Sequence, residues 1–225
     1  MTATGPGPLA LVGGGEWSEG CTFDTALLAA SGGDDVVVLP TGSAYEFPQG
    51  LVDRATAWFA DLGARVRALD VYSRPDAFDP DHVEAVRSAR FIYLAGASPM
   101  HLRSVLKDSP LFDAMVAAWQ AGAVLAGTSA GADVLCDPMV DTRGGAFTVG
   151  LGVVPGVSVM PRYDQWSPEK VHRTVSLAPP GLFLLGIPNA TAAIRSADGS
   201  WRYEGVSEVV VHRDGVAVPL DAVRA

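Results

Sequence analysis

Basic residues are scarce: sixteen Lys and Arg against twenty-five Asp and Glu leave a formal net charge of −9 at pH 7. No cluster of cations occurs along the chain, and a nucleic-acid surface is built from such clusters, so nucleic acid is not expected as a partner. Cysteine is limited to Cys21 and Cys136, far apart and outside any CxxC spacing. That composition excludes a disulfide framework and fits a reducing compartment. The four histidines, His82, His101, His172 and His212, include no pair at i, i+3 or i+4, so neither a metal site nor a metal cofactor is expected. No stretch approaches the roughly 20 apolar residues of a membrane span, and the first residues carry neither the basic segment nor the apolar run of a secretory leader. A cytoplasmic protein without membrane contact is the expectation.

What the chain does have is apolar mass: 48% hydrophobic residues, with 25 Gly and 16 Pro among 225. That is enough for one sizeable core, and a single domain over 1–225 is expected. Leu9–Val12, Val36–Leu39, Phe91–Ala95, Ala123–Ala126 and Leu182–Ile187 are short apolar runs without alternation, the pattern of strands covered on both faces. Four of them run directly into Gly13, Pro40, Gly96 or Gly127. Between them Leu51, Ala55, Trp58, Phe59 and Leu62 share a helical face that stops at Gly63, and Leu111, Met115, Val116 and Trp119 share another that stops at Gly122. Strand–helix alternation of this kind predicts an α/β fold with a mainly parallel sheet between helical layers. Near the C-terminus, Val209–His212 and Val216–Val218 flank Asp214-Gly215, the signature of a β-hairpin. The first eight residues carry no pattern and read as dispensable.

The most specific chemical signal is Gly127-Thr-Ser129-Ala-Gly131, which follows an apolar strand and precedes a run of small residues. Gly-x-Ser-x-Gly in that context is a nucleophile elbow. It would expose the Ser129 hydroxyl at the carboxyl end of the strand, with the N–H of Ala130 facing an oxyanion. Gly13-Gly14-Gly15-Glu16 lacks the third glycine of a dinucleotide fingerprint, since Ser18 stands there. It reads as a loop packed at the edge of the same cleft. Gly96-Ala97-Ser98-Pro99 ends another strand, with Ser98 as N-cap and Pro99 at the first helical position. Its backbone could supply further oxyanion donors, and His101 follows in the first helical turn. His172 lies on a charged helix face, and His212 in the hairpin.

These segments resemble peptidase family S51, which includes aspartyl dipeptidase and cyanophycinase, within the class I glutamine amidotransferase-like fold. The resemblance rests on LVGGGEW, FIYLAGASPMHL, GTSAGA, GLGVVPGVSVMPRYDQW and LLGIPNATAAI. It implies a flavodoxin-like three-layer sandwich, a serine nucleophile at Ser129 and oxyanion donors from the backbone of Gly96 or Ala97 and of Ala130. The chain departs from that family's pattern where its catalytic histidine belongs: Pro161-Arg162-Tyr163 replaces a Pro-His-Phe or Gln-His-Phe segment. It departs again where an acid follows the later strand, for Gly186-Ile187 runs into Pro188-Asn189. Arginine holds its proton at pH 7 and cannot serve as a base.

Three readings follow. In the first, the chain is an S51-like protein with an impaired or altered triad, its cleft binding a small acidic or peptide-like ligand through Ser129, Arg162, Asn189 and Glu16. In the second, it is an active serine peptidase or amidase using His101 or His172 as a substitute base, with His101 favoured by its place beside the elbow strand. In the third, the cleft is vestigial and the protein is structural or binds a protein partner. No reading requires a cofactor, and a homodimer is compatible with all three.

Overall fold

The computed structural model describes residues 5–141 and 145–224. In chain order the first half comprises β1 (Leu9–Val12), α1 (Phe23–Ser31), β2 (Asp35–Gly42), α2 (Pro48–Asp61), β3 (Arg65–Ala68), α3 (Pro80–Arg87), β4 (Phe91–Gly96), α4 (Pro99–Leu106), α5 (Pro110–Gln120) and β5 (Val124–Thr128). Then follow α6 (Ala130–Leu135), β6 (Cys136–Asp137), β7 (Met139–Asp141), β8 (Ala146–Thr148), β9 (Val154–Pro155), β10 (Val157–Pro161) and α7 (Pro168–Leu177). The chain ends in β11 (Phe183–Ile187), β12 (Thr191–Arg195), β13 (Trp201–Gly205), β14 (Val210–Arg213) and β15 (Val216–Val218).

Seven strands form the central sheet in the order β13-β12-β1-β5-β4-β2-β3. The five from β1 to β3 run parallel, while β12 and β13 close one edge antiparallel. Successive side chains of one strand point to opposite faces, and both faces are dry. Leu9 and Leu11 with Ile92 and Leu94 join the core under α3, α4, α5 and α6. Ala10 and Val12 with Phe91, Tyr93 and Ala95 join the core under α1 and α2. Two-sided burial is why these strands read as continuous apolar runs, and the result is the flavodoxin-like α/β sandwich the sequence predicts.

Leu182–Ile187 belongs elsewhere. Its strand, β11, pairs parallel with β10 and antiparallel with β14 in a second sheet ordered β10-β11-β14-β15. Val157, Val159, Leu185, Ile187 and Val211 of this sheet pack into the same core as α3 to α6. The predicted hairpin is present as β14–β15, turning at Asp214-Gly215 with both residues at positive φ. The N-terminal segment is less dispensable than its sequence suggests. Residues 1–4 lie outside the described residues, but the Gly7 N–H donates to Trp119 O at 2.8 Å, and the Trp119 indole N–H returns a bond to Gly7 O at 2.8 Å. Pro8 O accepts from Leu125 N at 3.0 Å.

The parallel strands β1, β5 and β4 are neighbours and all end at one rim of the sheet. Side chains in the loops beyond such ends converge on a crevice, where α/β folds place their ligands.

Candidate active site

Ser129 sits in the single-residue turn between β5 and α6 with φ 50° and ψ −108°. A non-glycine residue at positive φ costs roughly 1–3 kcal/mol and persists only where its surroundings enforce it. Here they do. Ser129 N donates to Val12 O at 2.9 Å, and Ser129 O accepts from Asp133 N at 3.1 Å. The flanking glycines permit the close approach: a Cβ on Gly127 would lie 2.5 Å from Gly131 C, and one on Gly131 would collide with Leu94 O. Ser129 is half-buried and its hydroxyl does not cap α6.

The cavity against this turn encloses about 330 Å³ and is bounded by Ala97 and Pro99, Ser129 and Ala130, Arg162 and Trp166, with Lys170 from the first turn of α7. Among the described residues no Asp, Glu or His lines it, and the two charged side chains that do, Arg162 and Lys170, are both cations. Arg162 is held in the left-handed region (φ 51°), and its N–H donates to Gly13 O at 2.8 Å. A Cβ on Gly14 would lie 2.9 Å from Arg162 Cγ and 2.9 Å from Asn189 Oδ1. The glycine loop is thus a bed for the arginine stem, which is a use of glycine unrelated to nucleotide binding. Among the described residues the Arg162 guanidinium makes no ion pair, and the charge it brings to the cleft is unneutralised. The Lys170 ammonium lies 3.7 Å over the Trp166 ring, and partial burial lowers its pKa.

The other candidate residues have different neighbours. His101 Nε2 is 2.9 Å from Tyr72 O, and the imidazole packs edge-on against Tyr45 at 5.1 Å between centroids; it does not line the serine cavity. His172 lines a separate cavity that also holds His212. Ala97 contributes its side chain to the cleft, but its N–H is spent on Gly42 O at 3.1 Å, as is that of Ser98 at 2.9 Å. Gly96 at φ 127° is pressed against Gly42, where any Cβ would clash with backbone. The first N–H groups of α6, beginning with Ala130, have no intrahelical acceptor. Asn189 turns away to clamp Asp164, whose carboxylate accepts from Asn189 N at 2.8 Å and from Nδ2 at 2.9 Å. Glu16 also works inward: its side chain is only 9% exposed, accepts from Thr128 Oγ1 at 3.0 Å and pairs with Arg54 at 3.5 Å. It ties the glycine loop to the residue before Ser129 and is not among the residues that line the serine cavity.

Lys170 and Trp166 went unnoticed in the sequence. Ser167-Pro168-Glu169-Lys170 is an N-capped first turn, with Ser167 Oγ accepting from Lys170 N at 3.3 Å. A lysine at that position opposes the helix dipole, and that mismatch is the signal that could have found it. Asp133, one turn after Ser129, is fully buried with its pKa pushed well above the carboxylate range by desolvation. Its Oδ1 accepts from Val140 N at 2.9 Å, while Oδ2 has no partner among the described residues. Among the described residues no group of three or more His, Cys, Asp or Glu could hold a metal ion.

Fold and site together define a flavodoxin-like α/β sandwich with a strained serine at the strand rim. The profile of peptidase family S51 matches residues 9–201, and the chain belongs to that family. It is 32% identical over 142 residues to a cyanophycinase from Geminocystis herdmanii, covering 57% of this chain and 52% of that one. A cyanophycinase from Synechococcus elongatus is 28% identical over 200 residues, covering 83% of this chain and 62% of its own length. The chain therefore spans between about half and three-fifths of these curated relatives. A crystal structure of a peptidase from an acI-B1 Actinobacterium superposes with a TM-score of 0.84 at 28% identity, covering 94% of this chain and 93% of that one. A putative peptidase E from Listeria monocytogenes shares the fold, with a TM-score of 0.65 at 21% identity over 92% of this chain and 98% of that one.

Proposed function

We propose that this S51-family protein uses the cleft at Ser129 to bind a small acidic or peptide-like ligand, and that its serine-peptidase turnover is impaired. The observation that carries the reading is the lining of the cleft: among the described residues Ser129 shares it with Arg162 and Lys170 and with no imidazole or carboxylate. A serine hydroxyl becomes a nucleophile when a neighbouring base takes its proton, and a guanidinium cannot. What the two cations do offer is a seat for a carboxylate, Arg162 through its planar fork and Lys170 as a point charge. The binding partner is therefore a group such as an aspartyl side chain or a C-terminal carboxylate. Two relatives are named cyanophycinases, so peptides derived from cyanophycin belong among the ligands to test alongside aspartyl dipeptides.

One observation favours a second reading, in which the enzyme is active and Lys170 is the base. It lines the serine cavity and partial burial favours its neutral form, as the serine–lysine variants of the triad require. A fluorophosphonate probe and a dipeptide hydrolysis assay separate the two. The binding reading expects slow labelling of Ser129 and hydrolysis lower by several orders of magnitude than a full triad gives. Rapid labelling that is lost in Lys170→Met but kept in Arg162→Ala establishes the second reading and refutes the first.

A further inference from the structure

A second cavity of about 500 Å³ adjoins the serine cleft at Trp166, between α7, the turn after β10 and the tip of the β14–β15 hairpin. It is lined by Tyr163, Trp166, Val171, Val175, His172 and His212, with Pro168 and Gly215 completing the rim. We propose that this cavity is a side-chain subsite that takes a bulky uncharged residue, aromatic or branched aliphatic, of a peptide whose acidic group sits against Arg162 and Lys170. The inference rests on the reading of the serine cleft as an anion seat.

Three observations carry it. Trp166 lines both cavities, so one indole is the partition between them. Its N–H donates to Pro161 O at 2.8 Å, and the Lys170 ammonium lies 3.7 Å over its ring, which fixes the partition in place. A ligand spanning the partition would meet cations on one side and an aromatic wall on the other.

The lining chemistry selects the occupant. Among the described residues no Asp, Glu, Lys or Arg lines the second cavity. Asp214, at the hairpin tip, is engaged by the Gly181 N–H at 2.7 Å and by Arg213 at 3.8 Å. Burial lowers the pKa of His212, whose Nε2 is 3.4 Å from the Tyr163 hydroxyl. A charged side chain would lose its hydration without gaining a counter-ion, whereas an apolar one would gain contact with Val171, Val175 and the ring faces of Trp166 and Tyr163. The walls are firm, because Tyr163, Trp166 and Val175 pack on the buried cluster Val140, Met160 and Leu184. The volume falls within the roughly 300–1,000 Å³ of preformed ligand pockets.

The test is calorimetric titration of the full chain with aspartyl-glycine and with aspartyl-phenylalanine, on the wild type and on Val171→Trp, which fills the cavity from α7. Burying an aromatic side chain is expected to favour the phenylalanine dipeptide on the order of ten-fold in the wild type. In Val171→Trp the ratio of the two affinities should fall to near one. Val175→Trp, filling from the next turn, replaces it should the first variant melt early. Equal affinities in the wild type, or a preference that survives the filled cavity, overturn the subsite. Binding of neither dipeptide overturns the anion seat itself and the subsite with it.

Discussion

Asp24 offers a sharp test of the electrostatics of this core, because its carboxyl is buried beside Tyr93 without a counter-cation. Burial is the main cause that raises its pKa from 3.8 to about 8; the Trp58 indole N–H donating to Oδ2 at 3.0 Å opposes the rise, and the nearby Glu16 charge adds to it. The neighbouring Tyr93 hydroxyl opposes the rise as well, although among the described residues Oδ1 has no hydrogen bond of normal geometry. The folded state therefore holds a proton that the unfolded chain releases near pH 4. The resulting stabilisation is complete below about pH 4 and drains away as pH climbs toward 8, the reverse of a salt-bridged aspartate. At 1.36 kcal/mol per pKa unit, the displacement is worth at most about 6 kcal/mol, and relaxation with water entry reduces that to about 2–4 kcal/mol. Asp24→Asn keeps an acceptor for Trp58 and cannot ionise. Urea unfolding at pH 5, 7 and 8.5 should show the variant gaining on the wild type by about 2–4 kcal/mol across that range, because the variant escapes the cost of ionising a buried acid. Asp35, Asp76 and Asp198, whose pKa values are lowered by hydrogen bonds or Arg65, contribute equally to both proteins. A difference between the two proteins that stays constant with pH refutes the argument.

Two further changes probe the geometry around Ser129. Gly131→Ala drives a Cβ into Leu94 O and to 3.1 Å from Leu94 Cβ, and thermal melting should show a loss of about 1–3 kcal/mol; an unchanged midpoint would mean that the β5–α6 turn relaxes freely. Glu16→Ala strands the Thr128 hydroxyl, for a loss of about 1–3 kcal/mol, while Glu16→Gln preserves an acceptor and should lose under about 1 kcal/mol. Equal losses for the two variants would show that the carboxylate charge, and not the hydrogen bond to Thr128, is what matters there.

The layered core was legible because apolar runs without alternation occur where both faces of a strand are covered, as in β1, β4 and β5. The same pattern misled for β11. A strand of a second sheet with both faces covered, as β11 has with Leu185 and Ile187 on one side and Leu184 on the other, looks identical in sequence to one in the central sheet, since periodicity reports burial and not partnership. Around the site, Gly127 and Gly131 announced the turn at Ser129, because only glycine tolerates the backbone contacts found there. Side-chain direction was not legible. His101 follows Ser98 and Pro99 at the rim, yet its imidazole turns to Tyr72 O, and Asn189 turns to Asp164. For Lys170 the local signal, a lysine in the N-capped first turn of α7, marks an unusual residue, but which cavity that turn faces is set by the long-range packing of α7.

The central claim is that Arg162 makes the Ser129 cleft a seat for anions. It is tested most directly by calorimetric titration of aspartyl-alanine and of asparaginyl-alanine amide, which carries no carboxylate, into Ser129→Ala protein with and without Arg162→Ala. With Arg162 present, aspartyl-alanine should bind more tightly than the amide; removal of the guanidinium should weaken aspartyl-alanine by on the order of ten-fold and leave the amide little changed. Equal binding of the two peptides, or an aspartyl affinity indifferent to Arg162, would contradict the account.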